Sequence, residues 1–301
     1  MSITLKTYLK LLFAMLVWGG TFTSARLLGS ELDPVNSAFL RFLLASTMLI
    51  ALLFYKEGRF PAISLKQFFY VLSMGLTGIA LYNLFFFYGL ARTEASRGSL
   101  ITSINPLLTA VGAAIIFKER FTLLRIIGFI LCVAGTVLII SKGDISSLLN
   151  TGVDRGDLAF LGCATSWAAY TLLGRFVGSE LASLTAITYA STLGTLVLFI
   201  ATFNHDLLNA INTLSLNSGL NLLFLSLLAT VVGFVWFQDG VKQLGAAKAA
   251  VFIYFMPVSA VFWAWLILDE RLTLILVIGA VMVISGVYLV NRRPLQESGD
   301  K

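Results

Sequence analysis

Two stretches of this chain hold its most chemically suggestive residues: "INPLLTAVGAAIIFKERFT", from Ile104, and "FMPVSAVFWAWLILDERLT", from Phe255. Each sets a proline deep in an apolar run, Pro106 or Pro257, and closes the run with a Glu-Arg pair, Glu119-Arg120 or Glu270-Arg271. The chemistry this offers is conformational and ionic rather than covalent. A proline inside a helix removes one backbone hydrogen bond and crowds the preceding turn, which frees the carbonyls of Thr102 and Ile253. Two such bends could act as paired gates or line a wet site, or could simply fit each helix around its neighbour. A carboxylate at a membrane edge could pair with an arginine and latch a gate. Alternatively it structures a short turn, since exposed ion pairs contribute little stability. Pro106, Pro257, Glu119 and Glu270 are the gating and hinge candidates.

Signatures of catalysis are missing. The sequence has no HExxH, no P-loop, and no nucleophile with a histidine base; its one histidine, His205, sits in the polar stretch "FNHDLLNAIN". Cys132 and Cys163 lie inside apolar runs and read as small core residues, not as a disulfide or metal pair. No catalytic residue, metal ligand or cofactor is therefore expected, and the chain does not read as an enzyme. The polar groups within the apolar runs are neutral: Tyr82, Asn83, Ser103, Asn105, Thr109, Tyr170, Gln238 and Tyr254, with Trp18, Trp167 and Trp263 beside them. Neutral hydrogen bonds and aromatic faces suit small zwitterions or amphiphilic metabolites better than highly charged phosphates, although aromatic residues also pack against helices and lipid. Arg41, in "SAFLRFLLA", is one to two turns inside its run. It is expected to reach the external interface, either to attract substrate or to form a structural ion pair. No Asp, Glu, His or Lys falls near the centre of a run, and Asp239 comes nearest. Proton coupling needs a titratable group in the pathway, so facilitated movement is the expectation.

Side chains of this kind need elements to hold them, and composition says which. The 301 residues are 58% hydrophobic and 12% charged, with a mean hydropathy of +0.92, against roughly 25% charged in soluble domains. That much apolar surface calls for lipid as solvent. A spanning helix needs about 20 apolar residues. Runs of this length fall near 8–28, 35–55, 67–90, 95–117, 122–141, 156–176, 182–203, 218–240, 247–268 and 272–291. The first has no small-residue cleavage site after it and reads as an uncleaved span. With the N-terminus in the cytoplasm, fourteen Lys and Arg fall inside and six outside, Arg97 among the latter. This bias sets orientation, puts both termini in the cytoplasm, and removes any need for a nucleic-acid partner to explain the net charge of +6.

The two opening stretches belong to a longer repeat. A shift of 151 residues pairs Pro106 with Pro257, Glu119 with Glu270, Gly128 with Gly279 and Gly135 with Gly286, and a shift of 149 pairs Trp18 with Trp167 and Arg26 with Arg175. Five spans per copy is an odd number, so the second copy enters the membrane from the opposite side. Inverted repeats of this kind are the architecture of many secondary transporters, with the substrate held between the repeats near the midplane. The glycine pairs share one helix face and read as packing grooves that could also support a dimer.

"FAMLVWGGTFTSARLL", "LRFLLA", "NPLLTAVGAAIIFKER" and "MPVSAVFWAWLILDER" together resemble the EamA-type branch of the drug/metabolite transporter superfamily. The resemblance implies an all-α integral membrane protein of ten transmembrane helices in two inverted five-helix repeats, exporting small metabolites across the bacterial inner membrane. It implies repeats over 1–143 and 152–293, with 294–301 as a cytoplasmic tail. It also implies a central cavity lined by Tyr82, Asn83, Ser103 and Asn105 from one half, and by Phe234, Gln238, Tyr254 and Ser259 from the other. Trp18 and Trp167 would complete it. The expected partners are a small-molecule substrate and the lipid bilayer, with the chain a monomer or homodimer. Amino acids or related compounds are the expected cargo. Drug or sugar-like solute efflux is the alternative, and a non-transporting scaffold a more distant one.

Overall fold

The computed structural model describes residues 3–118, 123–144, 146, 153–177, 181–244, 249 and 252–291. Among these residues every regular element is helical. The first half comprises α1 (Ile3–Leu28), α2 (Pro34–Glu57), α3 (Leu65–Met74), the π-helical segment π1 (Gly75–Leu81), α4 (Tyr82–Leu90), α5 (Ala95–Thr102), α6 (Asn105–Phe117) and α7 (Leu123–Ile140). The second comprises α8 (Arg155–Val177), α9 (Ser183–Ala201), a short α10 (Leu207–Asn212), α11 (Leu216–Leu223), π2 (Phe224–Val232), α12 (Gly233–Leu244), α13 (Phe255–Leu268) and α14 (Leu274–Asn291). Seven stretches are long and apolar enough to cross a membrane: Leu5–Leu28, Pro34–Glu57, Leu65–Leu90, Ala95–Ile116, Leu123–Ile140, Ser183–Asn204 and Leu216–Phe237. Phe255–Leu268 and Leu274–Val290 are apolar but shorter. The protein is a multi-pass helical membrane protein.

Local sequence starts and stops these helices. Asp33 accepts from the Val35 and Asn36 amides at 2.9 and 3.2 Å, Pro34 opens α2, and Gly58 closes it with φ of 65°. Such caps satisfy orphan backbone groups. Ser64 and Gln67 form a reciprocal capping box ahead of α3.

The regular helix fails where the sequence places glycines and prolines. Ser103 and Ile104 form a turn between α5 and α6, and the Ser103 and Thr102 hydroxyls donate back to Ser99 at 2.7 and 3.0 Å. Pro106 thus breaks the helix rather than merely bending it. At the equivalent place Tyr254 forms a turn just before α13 and Pro257. The π segments are a second matched pair, each just before a helix that carries candidate site residues. A π turn leaves carbonyls out of the regular ladder, and in lipid these need protein donors. Asn83 Nδ2 donates to Ile79 at 2.8 Å in π1. In π2 the Thr230 hydroxyl donates to Leu225 at 2.9 Å, and Trp18 Nε1 reaches Ala229 at 2.8 Å.

Packing crosses between the halves throughout. α8 packs on α4 and α6, while its counterpart α1 packs on α12 and α13; π1 packs on α9 and π2 on α2; α2 meets α9, and α7 meets α14. Exchanging the two halves reproduces the pattern. The α7–α14 seam is built on glycine: a Cβ on Gly128 would lie 2.6 Å from the Gly286 carbonyl, and one on Gly135 would lie 2.9 Å from that of Gly279. The grooves read from the sequence as possible dimer faces are therefore filled within the chain. Gly286→Ala would push a methyl to 2.6 Å from the Gly128 carbonyl and 2.7 Å from the Cys132 amide, both backbone. We expect it to cost about 1–3 kcal/mol by overpacking, read as a lower melting temperature in detergent. Gly219→Ala, which lies in α11 and meets nothing within 4 Å, serves as the control and should melt at or slightly above the wild type.

Outside the helices, the Glu31 carboxylate accepts from the Ser215 hydroxyl at 2.7 Å and its amide at 3.1 Å, tying the α1–α2 turn to the start of α11. These bonds, the hydroxyl's first, hold its pKa below the ordinary glutamate range. The tie is present at neutral pH and is lost as pH falls through that lowered value.

Candidate functional site

One polar-aromatic cluster forms where α2, α4 and α8 meet. Arg41, from α2, is 9% exposed and donates from Nη1 to Asn83 Oδ1 at 3.0 Å; its guanidinium lies 5.3 Å from the Phe42 ring and 5.9 Å from that of Phe86. The Tyr82 ring stacks on Phe86 at 5.8 Å and meets Trp167 at 5.2 Å, and Trp167 meets Tyr170 at 5.1 Å. Gly78 admits this layer, since a Cβ there would lie 2.3 Å from the Tyr170 ring. The expectation that Arg41 reaches an interface is wrong. Helix α2 turns it into the bundle, and Ser226 of π2 fixes its backbone by donating to the Arg41 carbonyl at 2.8 Å.

A second cluster joins α1 to α12. Trp18 lies 5.4 Å from Phe234 and 5.3 Å from Phe237, close over Gly233. Phe22, one turn along α1, reaches Phe86 edge-on at 5.1 Å and so connects α1 to the first cluster.

The remaining candidates serve helix contacts. Ser259 is buried and donates to the Leu16 carbonyl at 3.0 Å, joined there by Trp263 Nε1 at 3.1 Å. This packs α13 on α1 against Gly19. Tyr254 places its hydroxyl 3.4 Å from the Val287 carbonyl. Ser103 turns back onto α5, as above. Asn105 keeps a buried side-chain oxygen with no hydrogen-bond partner among the described residues. The Gln238 side chain and Glu119 lie outside the described residues. Tyr82, Asn83 and Trp167 therefore come together, as do Trp18 and Phe234; Ser259 and Tyr254 face neighbouring helices, and Ser103 bonds the helix it ends. Asp239, the titratable candidate, pairs with Lys10 at 3.2 Å at a half-exposed position.

Charged pairs at the helix ends complete the arrangement. Among the described residues Glu270 pairs with Arg26 rather than with its sequence neighbour Arg271. Its Oε1 accepts from the Ala95 amide at 2.7 Å, and its Oε2 from the Ser96 amide at 3.0 Å and hydroxyl at 2.5 Å. It caps α5 from a distant part of the chain, a place Glu94 leaves without a side-chain bond, and negative charge is favourable at that end of a helix. Arg26 approaches the same carboxylate at 3.8 Å and is about one-third exposed. Arg97, counted from the sequence among external charges, is buried. It forks onto Asp157, donating from Nε to Oδ1 at 2.8 Å and from Nη2 to Oδ2, and Nη2 also reaches the Ile140 carbonyl at 2.7 Å. Gly98 leaves room beside this pair for Phe160, whose ring lies 2.3 Å from where a Cβ would sit. The sequence marks each residue only as a charge just inside the start of an apolar run, which does not show that the two meet.

A helical bundle with broken helices and several stretches of spanning length belongs to the class of polytopic membrane proteins. The profile of the EamA-like transporter family matches the chain twice, over residues 5–141 and 154–292, and the chain belongs to that family. It is 30% identical to an uncharacterized transporter of Archaeoglobus fulgidus, covering 97% of this chain and 99% of that one. It is 29% identical to the uncharacterized transporter YyaM of Bacillus subtilis, covering 94% and 92%. A WAT1-related chloroplastic protein of Arabidopsis thaliana is 28% identical over 91% of this chain and 66% of its own. A crystal structure of a protein at 18% identity shares the fold, with a TM-score of 0.59 over 95% of this chain and 97% of that one.

Proposed function

We propose that this transporter is a secondary carrier that exports small metabolites, amino acids and related zwitterionic or amphiphilic compounds, across the cell's inner membrane by alternating access. On this reading ten helices cross the membrane as two inverted repeats, over 1–143 and 152–293, with both termini and the 294–301 tail in the cytoplasm. The observation that carries it is the exchange of contacts between halves: α1 and α8 each pack on the partner half's fourth-span helix, α13 or α6, ahead of which the chain breaks. The double match to the family profile supports the duplication. Breaks ahead of Pro106 and Pro257 give each half a hinge, with Glu270 at the far end of one helix that swings and Glu119 its counterpart in the sequence repeat. The pairing of Asp239 with Lys10 favours facilitated movement over proton coupling.

Orientation is tested by labelling single cysteines at Lys118 and Asp269, equivalent exposed positions that both adopt left-handed backbone, φ 55° and 53°. Cys132 and Cys163 are first replaced by serine. An impermeant maleimide is expected to reach one position from each side of the membrane; labelling of both from the same side overturns the inverted repeat. Counterflow in proteoliposomes with a panel of radiolabelled amino acids, sugars and cationic dyes then tests the cargo. Saturable exchange in the amino-acid arm is the expected result.

A further inference from the structure

Two arginines are buried among the described residues, and they are treated differently. Arg97 is matched by Asp157, whereas among the described residues no carboxylate faces Arg41. Asn83 Oδ1 takes one of its N–H groups, and Nε is buried without an acceptor. A guanidinium offers five donors in a rigid fork that fits a planar two-oxygen anion. The amide of Asn83 is neutral, so the charge stays uncompensated in a place where charge is retained only at a cost. Around it the chain supplies aromatic faces: Phe42 and Phe86 beside the guanidinium, then Tyr82 and Trp167.

We infer that Arg41 binds the carboxylate of the transported solute, with Asn83 holding the fork in place and the partly buried Tyr82 and Trp167 rings receiving the solute's apolar part. This rests on the carrier reading above and narrows its cargo to compounds that bear a carboxylate, which a neutral lining would not select. A single fork suits one carboxylate. Phosphate esters, with about twice that charge, ordinarily meet more than one cation, and no second buried cation joins Arg41 among the described residues. Asn83 is a positioning residue twice over, since its Nδ2 is anchored on the Ile79 carbonyl of π1 at 2.8 Å. The irregular turn thereby sets where the fork points.

The test is counterflow by the full chain in proteoliposomes, using acid and amide forms of the same solutes: phenylalanine and phenylalaninamide, leucine and leucinamide, threonine and threoninamide. Wild type is expected to move the acids at least about tenfold faster than the amides, because the amide costs the buried guanidinium a hydrogen bond between charged groups. Arg41→Gln should bring that ratio to about one. Arg41→Lys, which keeps the charge and loses the fork, should fall between. Asn83→Asp places an internal carboxylate against Arg41; it should abolish the preference without lowering the melting temperature, and it carries the test if Arg41→Gln does not fold. A wild type that moves amides as fast as acids, or a folded Arg41→Gln or Asn83→Asp with the preference intact, overturns the carboxylate assignment and leaves the carrier reading standing. A folded wild type that moves no member of this series, nor any of the sugars and dyes, overturns the carrier reading and this assignment with it.

Discussion

Asp157→Asn is expected to destabilise the protein by about 3–5 kcal/mol, the range for removing one partner of a buried ion pair. The substitution keeps the shape of the side chain and strips its charge, leaving Arg97 buried against a neutral amide. Asp157 is fully buried and opens α8, where the helix end favours a negative group, so no water takes over its role. Arg97 also donates to the Ile140 carbonyl, so the pair joins α5, α7 and α8. Replacing both residues together, Arg97→Met with Asp157→Leu, should recover most of the loss, because a packed apolar pair avoids the desolvation of both charges. Thermal unfolding in detergent, followed by helical circular dichroism, checks both variants. An Asp157→Asn protein that melts with the wild type would show that the pair contributes nothing.

Glu270→Ala should cost about 3 kcal/mol. It removes two bonds from backbone amides and one from a hydroxyl to a charged carboxylate that is 8% exposed, and bonds to charged groups contribute about 1.5–3 kcal/mol each before relaxation. The start of α5 loses its cap at the same time. Glu270→Gln keeps one acceptor oxygen and should lose roughly half as much. The Arg26 contact adds little to either figure, because at 3.8 Å and a third exposed it is solvent-screened. The same melting assay reads the series; equal losses for Ala and Gln would show that the charge, rather than the geometry of two acceptors, holds α5.

Much of the architecture was legible because lipid imposes a simple rule. Seven of the ten apolar runs became helices long and apolar enough to cross a membrane, and Pro106 and Pro257 marked the places where the fourth and ninth runs break. The glycine spacing at 128, 135, 279 and 286 announced a close helix approach, although the partner face proved to lie within the chain. The ionic pairings were not legible. Whether Arg97 is a loop cation or a buried one depends on how deep α5 begins, and a run of mixed polarity such as "ASRGSLIT" leaves that open. Arg41 is separated from Asn83 by 42 residues, and only the packing of α2 on α4 brings them together. The same holds for Glu270: the sequence offers Arg271 as neighbour, yet a left-handed turn at Asp269 aims the carboxylate at α5. Trp18 and Asn83, expected from the sequence to line a cavity, satisfy carbonyls of the π turns, a duty that nothing in the sequence marks.

The glycine seam has a mechanical corollary. Because α7 and α14 meet backbone to backbone, with Cys132 Sγ 3.5 Å from the Val283 carbonyl, neither can slide or rotate past the other without steric collision. Their remaining faces, with Ile126, Ile130, Val133, Val277, Ile278 and Val281 exposed, look outward to the acyl chains. Motion in the bundle must then be apportioned among the other helices, with this couple as a stationary keel.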